Sequence, residues 1–142
     1  MKGTLYGVGV GPGDPELMTL KATRLIRDNE VIACPGKAAK ETVAYQIALQ
    51  AEPALQEKTL LSVEMPMTHD PEALERGHQE ATNAVEAHLR EGRNVVFLTL
   101  GDPSIYSTYL YVQKRVAAHG YATELVPGVT SFCAAAARAN VS

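Results

Sequence analysis

The residues whose types could do chemistry gather in glycine- and proline-rich turns. The first of these reads Gly7-Val8-Gly9-Val10-Gly11-Pro12-Gly13-Asp14-Pro15. Turns of this kind ahead of a helix often cradle phosphate, because exposed backbone N–H groups point at the anion. This one fits neither common template. A dinucleotide fingerprint needs glycine at its first, third and sixth positions, yet counting from Gly7 places Pro12 sixth and counting from Gly9 places Asp14 sixth. A phosphate loop ends in Gly-Lys-Ser or Gly-Lys-Thr, and neither follows. Pro12 has no N–H to offer, and Asp14 would repel an anion. The turn is tight, and it serves something other than phosphate.

Aspartate-proline steps recur at Asp14-Pro15, Asp70-Pro71 and Asp102-Pro103. Each reads as a helix start, with aspartate as N-cap and proline at the first helical position. The carboxylate accepts an orphan amide hydrogen bond, and the proline gives up only an N–H that had no partner. Capping accounts in full for Asp70. Asp14 and Asp102 each follow a strand that ends in glycine, which leaves a ligand role open beside the capping one. Cys34 and Cys133 lie far apart with no partner motif, so each reads as a packed or strand-end thiol and not as half of a disulfide or a zinc ligand. His69, His78, His88 and His119 show no metal-ligand spacing, and no metal site is expected. His78 falls beside the Leu74, Ala81, Val85 and Leu89 stripe of a helix and reads as a packed side chain.

The elements that must position these residues alternate along the chain. Residues 4–10, 30–33, 59–63, 94–100 and 122–126 read as strands, and residues 16–27, 41–50, 72–90 and 104–119 carry helical spacing. The run Asn94-Val95-Val96-Phe97-Leu98-Thr99-Leu100 is apolar almost throughout, as a central parallel strand covered on both faces requires. The alternation predicts an α/β fold, an open five-stranded and mainly parallel sheet with flanking helices. At 142 residues and 46% hydrophobic, the chain can bury one ordinary core. Residues 1–126 read as one α/β domain. Residues 127–142 change character: a proline-glycine turn leads into an alanine-rich helix start that stops without a cap, and this reads as a linker and the first helix of a second α/β domain cut short.

A formal charge of −3 with mixed signs argues against nucleic acid or a membrane surface as partner. No apolar run reaches transmembrane length, and no charged-then-apolar leader follows Met1, so a soluble, cytoplasmic protein is expected.

Ligands of open α/β sheets sit outside the carboxyl ends of the strands. Four of the five loops there carry glycine, which lets a ligand approach the backbone closely. Three of these stretches, Gly9-Val10-Gly11-Pro12 through Ala22, Gly101-Asp102-Pro103-Ser104-Ile105-Tyr106 through Val112, and Val126-Pro127-Gly128-Val129-Thr130-Ser131 through Ala137, together resemble the tetrapyrrole methylases of corrin biosynthesis. The likeness covers nearly the whole chain. The Ser104-Ile105-Tyr106 run is most similar to the branch that methylates C20 of precorrin-2 or cobalt-precorrin-2.

The resemblance implies an S-adenosylmethionine-dependent methyltransferase of two lobes that works as a homodimer, with the cofactor in the cleft between the lobes. It implies cofactor contacts at Pro12, at Leu100, Gly101, Asp102 and Ile105, and at Thr130 and Ser131. The reaction it implies is direct displacement, an electron-rich ring carbon taking the sulfonium methyl and then losing its proton. A dry, rigid cleft that aligns the reactants serves this better than a strong acid. Tyr106, Tyr109 and Tyr111 lie near the fourth loop, but each suits packing as well, and no residue is assigned as catalytic. The aspartate that some members carry after the second strand is replaced here by Cys34 and Pro35. The implied substrate is a polycarboxylate tetrapyrrole, and Lys37 and Lys40, just past the second strand, are the expected contacts to its carboxylates.

Overall fold

The apolar run at residues 94–100 becomes strand β4 (Val95–Thr99), all five residues of which are buried. Val96 and Leu98 point into one core and Val95 and Phe97 into another, the two-residue alternation of a strand with both faces covered. In the computed structural model, which describes residues 1–65, 68–104 and 108–140, β4 is the middle of a five-stranded sheet. The other strands are β1 (Thr4–Gly9), β2 (Val31–Pro35), β3 (Thr59–Val63) and β5 (Ala122–Val126). Their order is β3-β2-β4-β1-β5, and every pairing is parallel.

Helices cover both faces: α1 (Leu20–Asp28), α2 (Val43–Ala51), α3 (Pro71–Arg90) and α4 (Tyr109–Ala118), with α5 (Ser131–Ala139) after the last strand. Ile26, Tyr45, Ile47 and Ala48 of α1 and α2 pack with Val8, Ile32 and Leu98. Val85, Leu89, Val112 and Val116 of α3 and α4 pack with Leu5, Val31 and Phe97 on the opposite face. Burying each such side chain contributes about 1.5–3 kcal/mol, and this apolar area holds the layers together.

The topology also selects a place for a ligand. The connection after β1 runs past β4 to β2, whereas the one after β4 runs past β1 to β5. The two loops diverge and leave a crevice at the carboxyl ends of β1 and β4.

Several helix starts differ from the sequence expectation. The helix expected over 16–27 is interrupted. Asp14 caps only a 3-10 turn, Pro15–Leu17, its carboxylate accepting from the Glu16 N–H at 2.9 Å. Met18 is extended, and Thr19 then caps α1 by accepting from the Ala22 N–H at 3.1 Å. The helix expected from residue 41 begins at Val43, because a 3-10 turn at Ala39–Glu41 comes first and Thr42 supplies the cap to the Tyr45 N–H. Asp70 and Pro71 do open α3 as expected. Asp102 does not cap α4, whose N-cap is Thr108. The final helix is also closed, with Asn140 in the left-handed conformation accepting the C-cap role.

Candidate functional site

Strands β4 and β5 are not neighbours, since β1 lies between them, yet the loops that follow them meet. They meet across Gly9, the last residue of β1. A Cβ on Gly9 would lie 2.4 Å from the Gly101 carbonyl oxygen and 2.9 Å from the Gly128 Cα. One on Gly128 would lie 2.2 Å from that same oxygen. Backbone occupies the space on both sides, so three loops touch only because no side chain stands between them. The alternation of the first turn thereby acquires its reason. Gly7 and Gly9 share one face of β1, where Gly7 receives the ring of Tyr109 and Gly9 receives the two loops.

Beyond the strand, Gly11 and Gly101 form a reciprocal bridge. The Gly101 N–H donates to the Gly11 carbonyl at 2.9 Å, and the Gly11 N–H donates back at 3.2 Å. Gly101 holds φ at +66°, the left-handed region, and a Cβ there would meet nothing closer than 3.9 Å. Its exposed side is open space beside Val129 and Thr130.

Asp102 ties this junction together. Its Oδ1 accepts from the Gly128 N–H at 2.8 Å, and its Oδ2 accepts from the Ser104 N–H at 2.9 Å and from the Ser104 hydroxyl. The side chain is buried. Burial alone would raise its pKa, but the Ser104 hydroxyl and the Gly128 and Ser104 amides outweigh it and hold the carboxyl below its ordinary value. A carboxylate has about four lone-pair positions, so with three taken one is left for a ligand donor.

A cleft of about 340 Å³ opens on this junction, lined by Pro12, Leu100, Gly101, Asp102, Thr130, Ser131 and Phe132. Six of the seven positions that the sequence singled out for a cofactor thus share one cavity, and the seventh, Ile105, lies outside the described residues. Thr130 also caps α5, its hydroxyl accepting from the Cys133 N–H at 3.4 Å. A second cavity of about 610 Å³ lies alongside, between the first turn and α5, and shares Pro12 and Ser131 with the first.

The sequence model of the family Tetrapyrrole (Corrin/Porphyrin) Methylases matches residues 4–142. The chain belongs to this family. It is 41% identical over 145 residues to the cobalamin biosynthesis protein CobIJ of Mycobacterium tuberculosis, covering 96% of this chain and 28% of that protein. It is 37% identical over 138 residues to the probable cobalt-precorrin-2 C(20)-methyltransferase of Methanocaldococcus jannaschii, covering 96% of this chain and 57% of that one. Among solved structures, the uroporphyrin-III C-methyl transferase of Thermus thermophilus complexed with S-adenosyl homocysteine superposes with a TM-score of 0.67 at 32% identity, over 94% of this chain and 51% of that one. The chain therefore spans between about a quarter and three fifths of these relatives' lengths.

In this family member, two groups of lining residues were missed from the sequence. Phe132 stands in the first cavity with 61% of its surface exposed. Ala134, Ala135 and Arg138, which with the expected Ser131 form the α5 wall of the second, are the other group. Their spacing of three, four and seven residues from Ser131 is one face of a helix, a signal that the alanine run concealed.

Other candidates are placed elsewhere. Tyr109 is fully buried against Phe97, with ring centroids 5.1 Å apart, and burial raises its phenol pKa, which makes it a poor base. Tyr111 stacks on His78 on the outer face of α3 and α4, at 4.5 Å between centroids. Tyr106 lies outside the described residues. Lys37 and Lys40 are exposed in the loop after β2 and line neither cavity. Cys34 is buried, and burial pushes its thiol up to about 12 against a lowering hydrogen bond with Thr42, whereas Cys133 is exposed. A brief maleimide pulse on the folded protein is expected to modify Cys133 and spare Cys34. Peptide mass spectrometry reads the outcome, and labelling of Cys34 at a similar rate would contradict the burial.

Proposed function

We propose that this chain forms the cofactor-holding part of an S-adenosylmethionine-dependent methyltransferase of cobalamin biosynthesis that acts on C20 of precorrin-2 or cobalt-precorrin-2. The observation that supports it most is the gathering of Pro12, Leu100, Gly101, Asp102, Thr130 and Ser131, from three separate loops, around one cavity. The residues suit the cofactor. The volume lies in the range of small-molecule clefts, Gly101 offers open backbone, Asp102 keeps one acceptor position, and Leu100 and Phe132 supply apolar wall. S-adenosylmethionine supplies an electrophilic methyl group on a sulfonium. The chain's own part is to bind, orient and exclude water, and orientation of this kind contributes up to about 7–11 kcal/mol to a displacement.

The relative named for cobalt-precorrin-2 favours C20. The solved neighbour named for uroporphyrin-III supports a second reading, in which the same cleft serves another ring position. Labelled cofactor offered to the full-length protein with metal-free or cobalt-loaded precorrin-2 decides between them. Label at C20 of either substrate is the expected result, and label at another carbon would transfer the assignment to the second reading.

The reading includes a second lobe that closes the cleft, and a homodimeric, cytoplasmic enzyme. Leu100 and Phe132, 53% and 61% exposed at the cavity, are apolar surfaces that such a lobe would cover. A one-walled cleft excludes less water, so the 142 residues alone are expected to fold yet to transfer no methyl group. Turnover by this stretch alone would show the second lobe to be dispensable. Lys37 and Lys40, which line neither cavity, belong to the proposal as carboxylate contacts from the loop after β2. Replacing both by glutamine is expected to raise KM for the tetrapyrrole severalfold while leaving that for the cofactor unchanged. If neither constant moves, the two lysines are solvated surface.

A further inference from the structure

A methyl group passes directly to its acceptor only when the two atoms approach to about 3–3.5 Å. The acceptor must therefore occupy space continuous with the cofactor's. Among the described residues, the larger second cavity adjoins the first, sharing Pro12 and Ser131 as lining. On the α5 side that second cavity has small side chains, Ser131, Ala134 and Ala135, which leave room for a bulky planar ligand.

Two charged residues line it, Asp14 and Arg138. The Asp14 carboxylate already accepts from the Glu16 N–H. Arg138, which is exposed, makes no ion pair or hydrogen bond among the described residues; the same holds for Arg24, Arg76 and Arg90, but Arg138 is the arginine placed on this cavity's wall. It is an uncommitted guanidinium on the wall of a cavity, and a guanidinium matches a carboxylate through two parallel hydrogen bonds.

We propose that the second cavity receives the methyl acceptor and that Arg138 grips one of its carboxylates. This rests on the proposed function, which makes the acceptor a polycarboxylate. It shifts the principal anion contact from Lys37 and Lys40 to a residue on a cavity wall. A purely structural role is the competing account, because a cation in the last turn of α5 also complements the helix dipole. Arg138→Lys separates the two, since it keeps the charge at the helix end and loses the planar fork.

The test uses the full-length protein, with uroporphyrin III, a stable octacarboxylate, as probe. Porphyrin fluorescence quenching gives its affinity, calorimetry gives that of S-adenosylhomocysteine, and a thermal melt gives the structural readout. Arg138→Gln is expected to weaken porphyrin binding by about tenfold or more, and Arg138→Lys by less. Cofactor affinity and melting midpoint should stay at parent values in both. Parent-like porphyrin affinity in Arg138→Gln would overturn the assignment while leaving the proposed function standing. A lowered midpoint in Arg138→Gln with full recovery of porphyrin binding in Arg138→Lys would also overturn it, in favour of the dipole role. Failure of the parent to bind S-adenosylhomocysteine would overturn the proposed function, and this inference with it.

Discussion

Alanine at Gly128 is expected to take apart the junction of the three loops. The added methyl group would lie 2.2 Å from the Gly101 carbonyl oxygen and 3.0 Å from backbone atoms of Gly9. Neither neighbour is a flexible side chain that could swing away. The Gly101 carbonyl is fixed by the Gly11 N–H, and Gly9 is the end of a strand paired on both sides. The β5 loop must therefore lift, and lifting it withdraws the Gly128 N–H from Asp102. Overpacking of this kind costs about 1–3 kcal/mol, and the lost hydrogen bond to a buried carboxylate adds about 1.5–3 kcal/mol. The urea midpoint should fall accordingly, and S-adenosylhomocysteine should no longer bind measurably, because Thr130 and Ser131 move with the loop.

Gly101→Ala is the informative contrast. Its methyl group meets nothing within 3.9 Å, so the cost is the left-handed backbone alone, about 1–2 kcal/mol. Valine at Gly101, chosen to fill the cleft, would add β-branch strain at the same φ and confuse the two effects. If Gly128→Ala keeps both the parent midpoint and the parent affinity, the loops do not meet as described.

What could be seen in the chain beforehand followed from local rules, and what could not be seen depended on distant partners. The strands over 59–63 and 122–126 are bounded by turn residues and match β3 and β5 to the residue. Strand β4 was legible because a fully covered strand must be apolar on both faces. The break in the first helix was hidden, because Met18, Ala22 and Leu25 keep helical spacing of four and three residues across it. Only the second cap, Thr19, betrays it. Asp102 looked like Asp70 because both precede proline. Both do accept from the amide two residues on, but the other oxygen of Asp102 holds the Gly128 N–H, 26 residues away, which reaches it only because β1 ends in a glycine narrow enough to let two loops meet over it. The cofactor positions around the first cavity came from resemblance, and the cavity's second chamber did not, since an alanine-rich helix gives no polar signal until its neighbours are in place.

Loss of the Asp102 carboxylate should have the next largest effect, and its pH dependence is the distinguishing mark. In Asp102→Ala, the Gly128 and Ser104 amides lose their acceptor inside the junction, at about 1–3 kcal/mol each if left unsatisfied. Asp102→Asn keeps the shape but turns an amide NH₂ toward either the Gly128 or the Ser104 N–H, so one donor still faces a donor. Because the native carboxyl titrates below its ordinary value of 3.8, the unfolded state binds the proton more readily. The stabilisation is complete above that ordinary value and is lost as pH falls through it toward the lowered native one. A plot of unfolding free energy against pH should therefore slope less steeply on its acid side in Asp102→Asn than in the parent. Near neutral pH the two curves should be furthest apart, and in strong acid they should converge. Parallel curves across the acid range would mean that the carboxyl is not held by these donors in the folded chain. The same variant should bind S-adenosylhomocysteine more weakly at neutral pH, because the loop that carries Gly128 also carries Thr130 and Ser131 to the cavity.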